Sequence, residues 1–209
     1  AQGPSGSWGD SNLSVIVSMD KDLRMVPGLH YDFDTDSVFC VGDHFGSIWI
    51  DETKSTKRLK GRGTKIFWAQ CLMGDTADSI KGLPAMAGKD WQPHSGTAAF
   101  RKLRDKLIAD RSCGVTADKL RAEVAKTKKV GPALAFAHLK DVHNDKDAFQ
   151  VVKSAWTNLE KHCGYQFTHW SSGETVTATQ ALLGDMQLLW MRRNDNPNDV
   201  IEWIKETAV

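Results

Sequence analysis

A short β-branched run followed directly by two acids constrains the fold of this chain more than any other feature of its sequence. Residues 13–18 read LSVIVS, and Asp20 and Asp22 follow in the sequence MDKD. Such a run predicts a buried strand, and α/β proteins place polar functional groups at the carboxyl ends of parallel strands. We therefore expect an α/β fold with a candidate site at the end of this first strand.

Further strands and a basic loop are predicted between this site and the first helix. The segments LHYDF, SVFCV and SIWI predict short strands, with a hairpin across the GDHFG turn between the last two. Residues 54–65 contain six basic residues in twelve, which predicts a mobile loop. From Thr64 onward, the apolar spacing predicts a helix with one apolar face that ends at Gly74.

The rest of the chain is predicted to be mostly helical. Thr97 and Thr116 are candidate N-caps of two helices, and a long helix is expected over residues 174–193. Asp199 is predicted to cap a last short helix. Between them, another helix is predicted by an apolar stripe at helical spacing, which consists of Phe149, Val152, Trp156 and Leu159.

The composition excludes several classes of protein. The 27 Lys and Arg residues nearly balance the 26 Asp and Glu residues, so any binding to nucleic acid must come from local basic patches. The four cysteines form no C-x-x-C pair, which argues against a disulfide scaffold or a zinc ribbon. Without a long apolar run or a recognisable signal peptide, the sequence predicts a cytoplasmic protein.

A second acid pair follows the first predicted helix. Asp75 and Asp78 lie in the segment GDTADSIKGLP. Neither pair is specific alone, because D-x-D after a strand also occurs in glycosyltransferases and haloacid-dehalogenase-type phosphatases, and an Asp at a helix end is commonly a cap. The two pairs together, in this order, carry more information than either.

The segments VIVSMDKDLRMVPGLHYDF and CLMGDTADSIKGLP together resemble the 5′ nuclease superfamily, and most closely its phage exonucleases. This superfamily contains flap endonucleases and 5′-to-3′ exonucleases. In it, an acid-x-acid motif ends a strand of a PIN-like sheet, and a downstream G-D-x-x-D motif opens a helix-three-turn-helix that holds duplex DNA. The resemblance implies that Asp20, Asp22, Asp75 and Asp78 are catalytic metal ligands.

The implied chemistry is hydrolysis of DNA phosphodiesters with two Mg²⁺ or Mn²⁺ ions. Two such ions about 4 Å apart can acidify the attacking water and stabilise the leaving oxyanion. Carboxylate oxygens are the ligands that these hard ions prefer.

The DNA-binding hairpin departs from the pattern of the superfamily. Its second half is expected late, as KVGPALA at residues 129–135, which makes residues 85–128 a helical insertion, and Ser79 replaces the usual Asn. A potassium ion at this hairpin is also implied by the resemblance. The residues expected to bind DNA are Lys54, Lys57, Arg58, Lys60, Arg62, Lys81, Gly82, Lys128, Lys129 and Gly131.

The N-terminal half of a 5′ nuclease has no counterpart in this sequence. We therefore expect a C-terminal portion that needs a second polypeptide or segment to supply the missing acids and strands, in bacterial or phage-infected host cytoplasm. The expected division is an N-terminal arm (1–12), a partial nuclease domain (13–84), a helix-hairpin region with an insertion (85–145) and a helical region (146–209). The alternative is a non-catalytic module that binds duplex DNA.

Overall fold

The computed structural model describes residues 14–42, 44–53, 56–83, 129–163, 165–169 and 171–207. Within these ranges the chain is a mixed α/β protein with small sheets and five α-helices. The strands are β1 (Val15–Val17), β2 (Gly28–Asp32), β3 (Ser37–Val41), β4 (Ser47–Asp51), β5 (Arg58–Arg62), β6 (Gly74–Asp75), β7 (Ile80–Lys81), β8 (Phe167–Thr168) and β9 (Thr175–Val176). The helices are α1 (Thr64–Met73), α2 (Pro132–Leu139), α3 (Asp145–Cys163), α4 (Ala178–Leu189) and α5 (Asp199–Thr207).

Several sequence predictions concern residues outside these ranges. The helices expected after Thr97 and Thr116 and the arm at residues 1–12 are among them, as are Lys54 and Lys128. Within the described ranges, each helix is too short or too polar to cross a lipid bilayer.

The first sheet has the order β1-β2-β3, with β1 parallel to β2 and β2 antiparallel to β3. A strand therefore precedes the MDKD sequence, as predicted. The prediction that this strand is buried is wrong, because β1 lies at the edge of the sheet and pairs only with β2 among the described strands. As a result Val15 is 41% exposed and Val17 is 62% exposed.

The hairpin predicted between SVFCV and SIWI is also wrong. The first of these segments is β3, which turns back on β2 and places Cys40 opposite Leu29. The second is β4, which forms a separate two-stranded sheet with β5. The GDHFG segment thus connects two different sheets, since each of its neighbouring strands has a partner elsewhere.

The described part of the basic segment forms a strand and the first turn of a helix, so the prediction of a mobile loop is wrong there. Residues 58–62 form β5, in which Lys60 pairs with Asp51 at 3.0 Å. The guanidinium of Arg62 lies 4.0 Å from the centroid of the Phe39 ring. Lys65 is 6% exposed and donates a hydrogen bond to the carbonyl oxygen of Val142 at 2.7 Å. Acceptors and aromatic rings from other segments thus accommodate the positive charges of Lys60, Arg62 and Lys65.

Helix α1 lies at the centre of the molecule. The predicted helix and its end at Gly74 are confirmed, but the prediction of a single apolar face is wrong, because every residue from 64 to 72 is buried. Helices α2, α3 and α4 and the β4–β5 sheet pack around it. A helix that is buried on all sides needs no polar face. Its few polar side chains therefore need specific partners.

The C-terminal helices cover α1 and complete a shared hydrophobic core. The predicted stripe of α3 is confirmed, since its members are all buried. Helix α4 is shorter than predicted because Thr177 forms a capping box with Gln180 that starts the helix. Asp199 is the first residue of α5 and does not cap it as predicted: its carboxylate accepts hydrogen bonds from the Trp190 indole and the Arg193 backbone, both at 2.8 Å.

Candidate metal centre

The two acid motifs meet although they are far apart in the sequence. Asp22 begins a short 3-10 turn after β1, while Asp75 and Asp78 belong to the β6–β7 hairpin that follows α1. One carboxylate oxygen of each lies within 4.8 Å of the others. We call Asp22, Asp75 and Asp78 the acidic cluster. Two of its members, Asp22 and Asp75, are buried, and Asp78 is exposed.

A tight hairpin positions the second pair of acids. The backbone of Gly74 has a φ of 71°, and a Cβ at this position would lie 2.5 Å from the carbonyl oxygen of Ile80. Only glycine allows so close an approach of the two strands. Asp75 strengthens the turn by accepting a hydrogen bond from the backbone N–H of Ala77 at 2.9 Å. Ser79 has a φ of 61°, a conformation that Asn adopts more readily.

Asp20 does not join the acidic cluster. We expected the D-x-D spacing to turn Asp20 and Asp22 to the same side, but the chain after β1 is a turn and not an extended strand. Asp20 is exposed, and its carboxylate accepts a hydrogen bond from the backbone N–H of Asp22 at 2.9 Å. The structure thus brings together three of the four candidate acids.

Two residues that sequence reasoning missed contact the acidic cluster. The ammonium of Lys21 pairs with Asp75 and, at 3.4 Å, with Asp22. Gln70 in α1 is 2% exposed, and its side-chain amide donates to Asp22 at 2.6 Å and to Asp75 at 3.1 Å. The position of Gln70 was a usable signal, because it is a polar residue in the apolar segment IFWAQCLM just before the second motif.

The surroundings shift the pKa values of the two buried acids in opposite directions. Burial is the largest effect on Asp22 and, together with the charges of Asp75 and Asp20, raises its pKa in spite of the Gln70 and Lys21 contacts. Burial also opposes ionisation of Asp75, but hydrogen bonds from Lys21, Ala77 and Gln70 outweigh it and lower the pKa. Negative charge in the acidic cluster therefore depends on nearby donors and cations.

The donor set of the acidic cluster fits a hard divalent ion. Its three carboxylates offer only oxygen ligands, which suit Mg²⁺ or Mn²⁺ better than softer metals. Three carboxylates do not balance the four positive charges of two divalent ions. The described residues thus fit one ion better than the two that the resemblance implies.

A cavity of about 620 Å³ lies beside the acidic cluster. Residues 78–83 of the β6–β7 hairpin form one wall, and Tyr165 and Asp185 lie on others. Burial raises the pKa of Asp185 to about 6. Sequence reasoning did not identify Asp185, because it lies among the apolar residues of a helix and matches no motif.

The basic residues predicted to bind DNA fall into two groups. In the first, acids or rings of this chain already engage the side chain: Lys57 pairs with Glu52 at 3.2 Å, and Lys60 and Arg62 have the contacts described above. In the second, Arg58, Lys81 and Lys129 are exposed and form no ion pair with a described acid. The second group is thus better placed to contact an external phosphate.

The two halves of the predicted hairpin meet in space. The backbone N–H of Val130 donates to the carbonyl oxygen of Leu83 at 2.7 Å, so the chain returns after residues 84–128 to the point where it left. Gly82 and Gly131 flank this junction, and Gly131 immediately precedes α2. Because α1 and α2 pack together, the junction connects two adjacent helices.

Comparisons with models of known protein families, with curated proteins and with solved structures found no match for this chain. A functional assignment therefore depends on the geometry of the acidic cluster and on the junction beside it.

Proposed function

We propose that this chain is the C-terminal part of a metal-dependent 5′-to-3′ exonuclease or flap endonuclease that hydrolyses DNA phosphodiesters. The observation that carries the proposal is the acidic cluster, where Asp22 of one motif meets Asp75 and Asp78 of the other. A packed protein gains little by bringing three carboxylates this close together unless a cation is to be bound there.

In this proposal Asp22, Asp75 and Asp78 hold Mg²⁺ or Mn²⁺. The bound metal would lower the pKa of a water molecule and stabilise the leaving oxyanion of a phosphodiester. Gln70 orients the carboxylates of Asp22 and Asp75, because its buried amide bonds to both.

The junction between Leu83 and Val130 is the proposed DNA-binding surface. Lys81 and Lys129 are exposed beside it, and the glycines on either side allow a DNA phosphate to approach the backbone. In this proposal α1, the junction and α2 form the helix-three-turn-helix, and a potassium ion can assist phosphate binding there. Binding through the DNA backbone predicts little sequence preference and a strong dependence on salt.

We further propose that a second polypeptide or segment completes the nuclease in the cytoplasm of a bacterial or phage-infected cell. The edge of β1 supports this, because among the described strands it pairs on one side only, and an edge with exposed Val15 and Val17 is a surface that proteins usually cover. The small number of clustered carboxylates also supports it, since a two-ion site needs more ligands.

The alternative function is a non-catalytic module that binds duplex DNA. Two observations favour it: Asp20 lies outside the acidic cluster, and Lys21 already neutralises part of its charge. In that case the hairpin surface would bind DNA without cleavage.

A cleavage assay distinguishes the two functions. The full chain is incubated with Mg²⁺ and 5′-flap or 5′-recessed duplexes, with and without a candidate partner that carries the missing acids. We expect cleavage with the partner, its loss in Asp75→Asn, and no change in Asp195→Asn, a control that removes an exposed acid from a loop. Salt-dependent DNA binding without cleavage would establish the alternative, and absence of both would refute the proposal.

A further inference from the structure

The acidic cluster already contains a cation of the protein itself. The ammonium of Lys21 contacts the carboxylate of Asp75 and lies 3.4 Å from that of Asp22. Within the described part of the chain, Lys21 is the basic residue that pairs with this cluster. Its ammonium group is a compact positive charge that lies between two carboxylates.

One carboxylate oxygen of Asp75, Oδ2, is fully engaged in this arrangement. Its Oδ2 accepts hydrogen bonds from both Lys21 and Gln70, and its Oδ1 accepts one from the backbone of Ala77. A carboxylate oxygen has two lone pairs in its plane, so a metal ion can bind Oδ2 only if one of its two donors leaves.

Exposure decides which donor leaves. Gln70 is 2% exposed and is fixed inside the core by α1. The Lys21 side chain is 58% exposed and extends from a surface turn, so it can move into solvent without disturbing the core. Lys21 is therefore the donor that a metal ion would replace.

We infer that Lys21 is a resident cation that competes with a divalent ion for the acidic cluster and must leave Oδ2 of Asp75 before an ion can bind that oxygen. The inference rests on the proposed function, because it concerns the same metal centre. Lys21 holds the carboxylates together in the metal-free protein and competes with the metal for Asp75 and Asp22. It therefore stabilises the metal-free state and weakens metal affinity through the same contacts.

A buried oxygen atom next to the cluster gives independent support. The side-chain Oε1 of Gln70 is buried and has no hydrogen-bond partner within the described residues. Buried polar atoms are nearly always paired, and an exception beside a binding site points to a partner that arrives with the ligand. A buried acceptor without a donor is therefore present beside the acidic cluster.

The test measures Mn²⁺ affinity and thermal stability of the full chain. Lys21→Met removes the competing charge, and Lys21→Gln removes it while keeping a hydrogen-bond donor, which covers the case in which the Met variant fails to fold. Lys140→Met is the matched control, because Lys140 is 53% exposed and pairs with Asp141 at 3.8 Å, outside the acidic cluster. Binding is measured by calorimetry, and melting temperature with and without Mn²⁺.

We expect the neutral Lys21 variants to bind Mn²⁺ about tenfold more tightly than the wild type, which corresponds to about 1.4 kcal/mol. Their metal-free melting temperature should fall, and the increase on adding Mn²⁺ should be larger, while Lys140→Met behaves as the wild type. Equal or weaker Mn²⁺ binding by the Lys21 variants, with binding by the wild type, would overturn the inference and leave the metal centre intact. If neither the wild type nor any variant bound Mn²⁺, both this inference and the proposed metal centre would be overturned.

Discussion

Replacing Gly74 by alanine tests whether close backbone packing holds the acidic cluster in place. Gly74 has a φ of 71° and a ψ of −174°, a combination that is almost confined to glycine. A Cβ would lie 2.5 Å from the Ile80 oxygen and 2.7 Å from the Lys81 carbonyl carbon. These contacts are with backbone atoms, so no side-chain rotation can relieve them.

Two contributions to the loss of stability add in the Gly74→Ala protein: the backbone conformation and the displacement of the opposing strand. The backbone conformation costs about 1–3 kcal/mol for a residue with a Cβ. Displacing the opposing strand costs about 1–3 kcal/mol more, as overpacking does elsewhere. The free energy of unfolding should therefore fall by about 2–6 kcal/mol, a large part of the roughly 5–15 kcal/mol of a typical domain. Mn²⁺ affinity should fall as well, because the same hairpin carries two of the acids.

Alanine substitutions at two other glycines distinguish the conformational contribution from the steric one. Gly173 has a φ of 72°, and a Cβ there would have no atom of the described residues within 4 Å of it, so Gly173→Ala is expected to have only the backbone cost. Gly42 lies outside the left-handed region, and among the described atoms its Cβ would meet only the sulfur of Cys40 at 3.9 Å, so Gly42→Ala should change stability by less than about 0.5 kcal/mol. Urea unfolding followed by tryptophan fluorescence gives all three values. If Gly74→Ala lost no more stability than Gly173→Ala, the steric argument would be refuted.

The buried carboxylate of Asp199 and the partly buried carboxylate of Asp185 give further predictions. The carboxylate of Asp199 accepts three hydrogen bonds, each at 2.8 Å, from Trp190, Arg193 and Asn194. Asp199→Ala removes this acceptor and should lower the free energy of unfolding, measured by urea titration, by about 3 kcal/mol. A loss below about 1 kcal/mol would contradict the prediction. Burial opposes ionisation of Asp199, but these donors lower its pKa. The difference in free energy of unfolding between the wild type and Asp199→Ala should therefore be present above about pH 4 and disappear as the pH falls further. Burial raises the pKa of Asp185 to about 6, so wild-type stability should fall as the pH rises from about 4 through 6. Asp185→Asn should therefore be more stable than the wild type at about pH 8 but not at about pH 4. An equal difference in stability at both pH values would count against a raised pKa for Asp185.

Local patterns in the sequence were enough to predict elements whose evidence lies within one segment. The apolar stripe of α3 shows which face is buried, and Gly74 marks the end of α1 because a residue with a Cβ does not fit there. The strand before the MDKD sequence follows from its β-branched residues. These predictions required no knowledge of a neighbouring element.

Strand pairing and the burial of charge depended on the tertiary structure. The pattern of β4 predicts a strand but not that its partner is β5, and the basic residues of β5 suggest solvent until Asp51 and Phe39 are found beside them. The number of basic residues is a property of one segment, whereas their burial depends on acidic and aromatic partners from other segments.

The candidate site shows the same division. The sequence alone identified the four acids, but the tertiary structure decided that Asp22 turns inward while Asp20 stays exposed and accepts a hydrogen bond from the Asp22 backbone. It also decided that Lys21 and Gln70 contact the carboxylates. The physical reason is that residue types and spacing determine which chemistry is possible, while the packing of α1 against both motifs determines which side chains come within hydrogen-bond distance.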